Sequence, residues 1–303
     1  MQLEENYMYP RQPENEENAM NDKIVAMSNQ LAKSQINWTI TQKKLFTMIL
    51  EKLQWRKSGN PTEIELTKKD IMNSLKSEIN TNCVSLYLRR EFEKLIKHSF
   101  VEWENPEDQE NFECGFLLTK FITTRNKVFV YINPEFMPHL EYLLKNFTMI
   151  LSSDVYNFRS GFSFDLYKSL MLYHNKAYLV NHHTFTTKEL KRIFGLKKTD
   201  YVNKSSGKFD RYNFEKRTVE VAVREINENW NNGGMLYIKS WEKVKREGMV
   251  EGYKFYFIAR TKPGNPIIIE QDGIEPDMQM TIDADGNTFY EPIADKDLLK
   301  RSE

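Results

Sequence analysis

Apolar positions recur at helical spacing in three successive segments of the first half of the chain. We expect one helix after the capping residue Thr39, a second starting at Thr67 behind a short strand, and a third over about residues 82–97. The inward faces contain Leu45, Met48, Ile49 and Leu53 in the first helix, and Val84, Leu88, Phe92 and Leu95 in the third. Two extended runs, at residues 116–123 and 127–132, then predict a two-stranded ribbon.

The same order of elements occurs a second time further along the chain. Helices are expected at residues 164–173, 186–194 and 211–230, followed by strands at 235–241 and 253–260 around a charged connection. The helix openings at Thr67 and Thr186 match in type, because a capping threonine precedes basic, acidic and aliphatic residues in both. We therefore expect the α+β fold class, with two tandem winged-helix (helix-turn-helix plus β-wing) domains related by internal duplication.

The length of the chain and its acidic, proline- and glycine-containing segments suggest the domain boundaries. At 303 residues the chain exceeds the usual size of one domain, and its 40% hydrophobic and 28% charged residues are typical of a folded soluble protein. We expect an acidic disordered N-terminal tail at 1–20, a first winged-helix domain at 21–150, a second at 151–262, and an acidic flexible C-terminal tail at 263–303.

The formal net charge of zero conceals a segregation of the two signs along the chain. Residues 1–18 contain five acidic residues and one arginine, and residues 267–303 contain ten acidic and three basic residues. The segment between them therefore carries a net charge of +11. A basic body of this kind is typical of proteins that bind polyanions such as nucleic acids.

Several other classes lack support in the sequence. There is no long apolar run and no signal-peptide pattern, so we expect a cytoplasmic protein without a membrane partner. Cys83 and Cys114 are too few for a disulfide framework, and the scattered histidines do not form the His-hydrophobic-His metal site of a nicking relaxase. The phosphate-binding loop of an ATPase is also missing. We expect no cofactor, no metal and no enzymatic activity, although separated carboxylates that form a nuclease metal site stay an open alternative.

The last helix of the second unit is the strongest candidate for contact with DNA. Val219, Ala222, Val223 and Ile226 form an apolar stripe, so the opposite face is available to a DNA major groove, where arginine pairs with guanine and asparagine with adenine. An ordinary solvated helix face is the alternative, but residues 186–224 contain eleven basic residues against five acidic ones. The candidate DNA-binding residues here are Lys197, Lys198, Lys204, Lys208, Arg211, Asn213, Arg217, Glu220 and Arg224.

The first unit offers a weaker counterpart of this surface. Its candidate DNA-binding residues are Arg89, Arg90 and Lys97 on the third helix, with Arg125 and Lys127 in the ribbon. Neighbouring acidic residues dilute the positive charge. The first unit is therefore interpreted as an auxiliary DNA-binding domain or a dimerisation platform, and a plain solvated surface is an equally good interpretation.

Three segments of the second unit resemble the Rep_3 family of theta-type plasmid replication initiators. Residues 162–167 are similar to the family's helix opening with its Leu-Tyr pair, and residues 185–196 are similar to its "L-R-x-x-L-G" helix end. Residues 209–229, which contain Glu225-Ile226-Asn227, resemble its "F-x-x-x-V-L-x-P-A-x-x-E-I-N" segment. Val221 stands where the family usually has proline, and the wing segment differs from the family's basic Gly-Arg turn.

The resemblance implies a sequence-specific initiator of plasmid replication that binds repeated sites, called iterons, in double-stranded origin DNA. It also implies a monomer-dimer equilibrium, repression of the protein's own promoter, and contacts with a host replication initiator and helicase. In that family the second domain is the principal reader of the repeat. The alternative function is a winged-helix transcriptional repressor without replication activity, and a nicking relaxase is a third.

Overall fold

The computed structural model describes residues 23–34, 37–54, 62–75, 84–105, 108–140, 147–260, 278–282 and 288–292, with side chains described outside 102–113 and 278–292. The helices are α1 Asn29–Lys33, α2 Ile40–Gln54, α3 Lys68–Ser74, α4 Val84–Lys97, α5 Ser152–Asn157, α6 Gly161–Leu172, α7 Thr187–Ile193, α8 Arg211–Phe214 and α9 Glu220–Trp230. The strands are β1 Ile24–Ser28, β2 Glu63–Thr67, β3 Phe100–Asn105, β4 Asp108–Phe116, β5 Leu118–Thr123, β6 Lys127–Ile132, β7 Phe147–Leu151, β8 Asn181–Thr186, β9 Leu236–Arg246, β10 Met249–Ala259, β11 Met278–Ile282 and β12 Thr288–Pro292.

The first unit packs α2, α3 and α4 with an antiparallel sheet in the order β2-β6-β5. Strand β2 alternates buried and exposed side chains, with Ile64 and Leu66 in the core and Glu65 in solvent. Thr67 then starts α3, because its hydroxyl accepts a hydrogen bond from the Asp70 N–H at 3.0 Å. The predicted apolar faces of α2 and α4 are confirmed as buried, apart from a partly buried Val84.

The second unit repeats the arrangement with a sheet in the order β8-β10-β9. Thr186 and Glu189 form a reciprocal capping box at the start of α7. The capping role of Thr186 was predicted from the similarity between the two helix openings. Tyr253, Phe255 and Phe257 on β10 are fully buried, so the inner face of the wing sheet is part of the core. Two tandem winged-helix units and the α+β class are thus confirmed.

A further sheet joins the start of the described chain to its middle. Strand β1 pairs antiparallel with β7, with Ile24 opposite Leu151. These partners are more than a hundred residues apart in sequence, and neither strand was predicted. Helix α6 packs against both β7 and α9, and a single hydrophobic cluster runs through both units. The buried ion pair of Lys43 with Asp165, at 2.6 Å, fastens α2 to α6.

The wing of the second unit differs from the predicted ribbon. The charged connection predicted between residues 241 and 253 is wrong, because β9 and β10 continue through it to the two-residue turn Glu247–Gly248. Both turn residues have positive φ, 51° and 77°, the geometry that closes a tight hairpin. Charged residues on both faces of an exposed ribbon hide the alternation that identifies a strand, which explains the error.

The two predicted tails fall largely outside the described residues. Residues 1–20 lie wholly outside them. Of residues 263–303, the described part is the antiparallel pair of β11 and β12, in which Met278 lies opposite Pro292. These two strands were not predicted.

Candidate nucleic-acid interface

The long helix at 211–230 presents a continuous exposed face. It consists of α8, a π-helical segment at Glu215–Val219, and α9. Val219, Ala222 and Ile226 are buried, and Val223 is partly buried, as the predicted apolar stripe requires. The opposite face exposes Lys216, Arg217, Glu220 and Arg224, which we call the helix stripe. Within the described residues, the Arg217 guanidinium makes no hydrogen bond or ion pair.

The three cations of the helix stripe differ in the contacts that they make with the rest of the protein. Arg224 Nε lies 3.8 Å from a carboxylate oxygen of Glu228, an exposed i,i+4 pair that contributes little to stability. Lys216 Nζ lies 3.1 Å from the Tyr212 hydroxyl and 5.3 Å from the centre of its ring. This contact raises the pKa of Lys216, so the lysine stays charged at neutral pH. The stripe therefore offers an unpaired arginine between two loosely held cations.

Two of the sequence-predicted residues at the start of this helix are bonded to the protein. Arg211 donates from Nη2 to the Val250 carbonyl on the wing at 3.1 Å and is half-buried. Asn213 donates from Nδ2 to a carboxylate oxygen of Asp210 at 2.6 Å, and its N–H donates to the other oxygen at 3.1 Å. These two hydrogen bonds lower the pKa of Asp210, the side-chain bond more than the backbone bond. Arg211 and Asn213 therefore fix the helix start and its distance from the wing.

The base of the wing is clamped to the π-helical segment through the buried carboxylate of Glu215. Lys243 on β9 places its ammonium 2.7 Å from one Glu215 oxygen, and the Tyr253 hydroxyl donates to the other at 2.9 Å. Burial, then the bond to Glu215, raises the pKa of Tyr253, which stays protonated. Sequence reasoning missed this clamp, because an isolated Glu in a charged helix gives no signal of burial.

The connection between α7 and α8 is organised by hydrogen bonds within itself. Lys191 Nζ donates to the carbonyl of Asp200 at 3.0 Å, and the Lys197 N–H donates to the Asp200 carboxylate at 2.7 Å. The Asn203 side chain accepts from the Ser205 N–H at 2.9 Å. These bonds leave four sequence-predicted lysines exposed around the connection, namely Lys197, Lys198, Lys204 and Lys208. An ordered loop that projects lysines is suited to phosphate contacts.

The candidate residues of the first unit are less concentrated. Arg89 forms an exposed i,i+4 pair with Glu93 at 2.9 Å, and Lys127 pairs with Glu65 at 2.7 Å. Arg90, Lys97 and Arg125 are exposed and make no ion pair within the described part of the chain. The structure therefore distributes these five residues over α4 and the β5–β6 ribbon, with two of them neutralised by carboxylates.

The Glu-Ile-Asn segment of the long helix has a structural role. Glu225 Oε2 accepts hydrogen bonds from the N–H groups of Arg159 and Ser160 at 3.0 and 3.1 Å, and from the Ser163 hydroxyl at 2.8 Å. Asn227 bonds both the N–H and the carbonyl of Ile238, at 2.8 and 2.9 Å. This segment therefore docks the long helix onto α6 and β9, and its side chains are directed away from the helix stripe.

Two large apolar side chains near this surface were missed by sequence reasoning. Tyr212 at the start of the helix is 67% exposed, and Met249 at the wing tip is 70% exposed. Arg211 and Val250 adjoin them in sequence, and the hydrogen bond between Arg211 and Val250 holds the start of the helix against the wing. A signal was present for Tyr212, which lies four residues before Lys216 on the polar face of the helix.

No group of three or more His, Cys, Asp or Glu residues is positioned to hold a metal ion among the described residues. No described helix is both long and apolar enough to span a membrane.

The fold and this surface define a protein with two winged-helix units. A family model described as "Initiator Replication protein, WH1" matches residues 24–171, and one described as "Initiator Rep protein, WH2" matches residues 186–257. Because these matches together span more than half of the chain, it belongs to the initiator replication protein family. The resemblance to Rep_3 initiators is thereby confirmed.

Two solved structures also align with this chain, and the first of them shares its fold. The Pi initiator protein, whose crystal structure contains iteron DNA, aligns with a TM-score of 0.56 and 13% identity over 79% of this chain and 98% of its own. Domains 2 and 3 of RctB align with a TM-score of 0.43 and 13% identity over 73% of this chain and 82% of their own. No curated protein matches the chain.

Proposed function

We propose that this protein initiates plasmid replication by binding repeated sites in double-stranded origin DNA, without catalysing a reaction itself. Family membership supports replication initiation, and the shared fold of the Pi initiator, solved on iteron DNA, supports the repeated site. The observation that carries the proposal is the helix stripe, in which the unpaired Arg217 lies between Lys216 and Arg224 on the exposed face of a core-anchored helix.

The geometry suits insertion of the long helix into a major groove. A helix of this kind fits the groove, and arginine recognises guanine there through two parallel hydrogen bonds. Arg217 and Arg224 are the residues we assign to base edges, with Glu220 between them as an acceptor for a cytosine amino group. Anchoring by Glu225 and Asn227 holds the helix at a fixed depth relative to the wing.

Phosphate contacts are assigned to the lysines that flank the helix. Lys197, Lys198, Lys204 and Lys208 project from the connection before the helix, and Lys245 and Arg246 project from the wing. Such contacts add affinity and fix orientation, but they do not select a sequence. We assign Arg211 and Asn213 to positioning of the helix start, since their polar groups are used by Val250 and Asp210.

Tyr212 and Met249 are assigned to apolar contacts with the DNA. Both are large, mostly exposed, and next to the basic surface of the second unit. An aromatic side chain at the start of the helix suits a thymine methyl group, which only the major groove displays. An apolar side chain at the tip of a wing suits the floor of a minor groove.

The first unit is assigned to auxiliary DNA contacts and to self-association. Arg89, Arg90, Lys97, Arg125 and Lys127 are the residues for the DNA contacts. An exposed cross-strand pair of Phe100 and Phe116, with ring centres 5.2 Å apart, supports self-association. Repression of the protein's own promoter, host replication initiator and helicase partners, and a cytoplasmic location are proposed on the family resemblance.

A plasmid maintenance assay tests initiation directly. A plasmid whose only origin is the protein's cognate repeats is introduced into cells that supply the full chain or its Arg217→Ala variant. Replication with the wild-type chain and loss of the plasmid with the variant support the proposal. Binding to the repeats without replication favours the alternative, a transcriptional repressor, and a metal-dependent nick in supercoiled origin DNA favours a relaxase.

A further inference from the structure

A small pocket lies apart from the helix stripe, where α1, α6, β8 and α7 meet. Its polar walls include Lys33, Ser34, Lys168, Ser169, Tyr173 and Arg192. Lys33 lies in α1 of the first unit, whereas Lys168 on α6 and Arg192 on α7 lie in the second. The pocket therefore brings together cationic side chains from both winged-helix units.

The three cations of this pocket lie outside ion-pairing distance of every carboxylate among the described residues, although Asp165 attracts Lys168 and Glu189 attracts Arg192 at longer range. Lys33, Lys168 and Arg192 make no ion pair or hydrogen bond there. Of these two carboxylates, Asp165 is paired with Lys43 at 2.6 Å, whereas Glu189 accepts from the N–H of Thr186 at 2.7 Å and keeps its negative charge. Ion pairing therefore leaves an excess of positive charge around the pocket.

Lys168 is the least solvated of the three cations. It is half-buried, with its ammonium 6.0 Å from the centre of the Phe164 ring. Burial, more than the neighbouring Lys43, lowers the pKa of Lys168 to about 8, against the opposing attraction of Asp165. A half-buried cation without a hydrogen-bonded partner costs free energy, and a bound anion would offset that cost.

Neutral donors lie beside the cations. The Ser169 and Tyr173 hydroxyls make no hydrogen bond within the described chain, and both residues line the pocket. The Tyr173 ring is stacked on His183 with centres 3.5 Å apart, which fixes its position. Ser34 is different, because its hydroxyl already donates to the Leu31 carbonyl at 2.6 Å. Cations combined with hydroxyl donors form the usual protein environment of a phosphate group.

We propose that this pocket binds the phosphate group of a small ligand, and that the ligand thereby links the two winged-helix units. The chemistry fits inorganic phosphate or the terminal phosphate of a nucleotide. Lys33, Lys168 and Arg192 supply the charge, and Ser169 and Tyr173 supply neutral hydrogen bonds. This site goes beyond the proposed DNA-binding function and uses different residues from the helix stripe.

Titration calorimetry of the full chain with inorganic phosphate, in a phosphate-free buffer at constant ionic strength, tests the site. Lys168→Met removes the central charge, and we expect phosphate affinity to fall about tenfold or more, as for the loss of a charge-assisted hydrogen bond. Lys33→Ala, at an exposed position, gives a second variant whose folding is not at risk. The matched control is Lys176→Met, since Lys176 is an exposed lysine that does not line the pocket.

A second arm identifies the source of the phosphate group. If ATP binds about as tightly as phosphate and competes with it, the ligand is the phosphate group alone. If ATP competes and binds at least about tenfold more tightly, the ligand is a nucleotide. Affinity for inorganic phosphate should also weaken as pH rises above about 8, because neutral Lys168 loses its attraction for the dianion.

Three results would overturn the site. They are no phosphate binding by the wild-type chain, wild-type phosphate affinity in the folded Lys168→Met and Lys33→Ala variants, or a loss of affinity in Lys176→Met as large as that in the site variants. Binding of the same variants to origin repeats separates this proposal from the DNA-binding function. We expect Lys168→Met to retain wild-type affinity for DNA in the absence of phosphate. The two proposals therefore fail independently.

Discussion

The carboxylate of Glu225 on the long helix accepts a hydrogen bond of 3.1 Å from the backbone N–H of Ser160, the residue that caps α6. Two further bonds, from the Arg159 N–H and the Ser163 hydroxyl, reach the same oxygen. The helix proposed to enter DNA is thus held at its core side by the helix that packs on both units. Residues that dock this helix and residues that face DNA are separate sets.

Replacement of Glu225 by alanine should destabilise the protein by roughly 2–4 kcal/mol, because buried donors lose their acceptor. Urea unfolding followed by circular dichroism measures the change. Glu228→Ala is the control, since Glu228 is exposed and its ion pairs with Arg159 and Arg224 lie in solvent. If the two variants unfold at the same urea concentration, the bonds to Glu225 do not hold the helix in place.

Lowering the pH should reduce the free energy of unfolding over the range in which His174 is protonated in the unfolded chain but not in the folded one. Burial lowers the pKa of His174 to about 4, so the unfolded chain binds more protons than the folded chain between about pH 6.5 and 4. Stability is therefore fully present above about pH 6.5 and is lost as the pH falls, by on the order of 3 kcal/mol from this residue. Urea unfolding at a series of pH values should give a flatter profile for His174→Gln. Parallel profiles for the two proteins would contradict the prediction.

Arg211 should behave as a positioning residue, because its guanidinium is half-buried and bonds the Val250 carbonyl. We expect Arg211→Ala to lower thermal stability and to leave the salt dependence of DNA binding unchanged. Fluorescence anisotropy at several salt concentrations, with thermal melts in parallel, separates the two roles. A salt slope reduced by about one would show instead that Arg211 contacts a phosphate.

Replacement of Lys204 or Lys208 should weaken DNA binding without changing its sequence specificity. Both are exposed on the connection before the long helix. Replacing either by alanine should reduce affinity for cognate and unrelated DNA alike, and lower the salt slope by about one unit. Anisotropy titrations on both DNA sequences measure this, with Lys176→Ala as an exposed control outside the surface. Loss of affinity for the cognate repeat alone would give these lysines a role in base recognition.

The sequence predicted those parts of the fold that local patterns determine. Thr186 was recognisable as a cap, and the buried Val219 and Ile226 were recognisable from helical spacing. The β1–β7 sheet was missed because its strands pair across most of the first unit. The hydrogen bond from Arg211 to Val250 was missed because Val250 was predicted to lie in a connection, whereas it lies in β10. Tertiary contacts such as these decide which side chains of a basic segment are available to DNA.

The most direct test of the central claim is the affinity of the Arg217→Ala and Arg224→Ala variants for the cognate repeat and for repeats with single base-pair changes. If these arginines recognise bases, each variant should lose about 1–3 kcal/mol of binding free energy on the cognate repeat and tolerate a change at one base pair. Arg159→Ala, an exposed arginine outside the helix stripe, should bind as the wild-type protein does. Full affinity and unchanged discrimination in both folded stripe variants would show that the long helix does not recognise the DNA sequence.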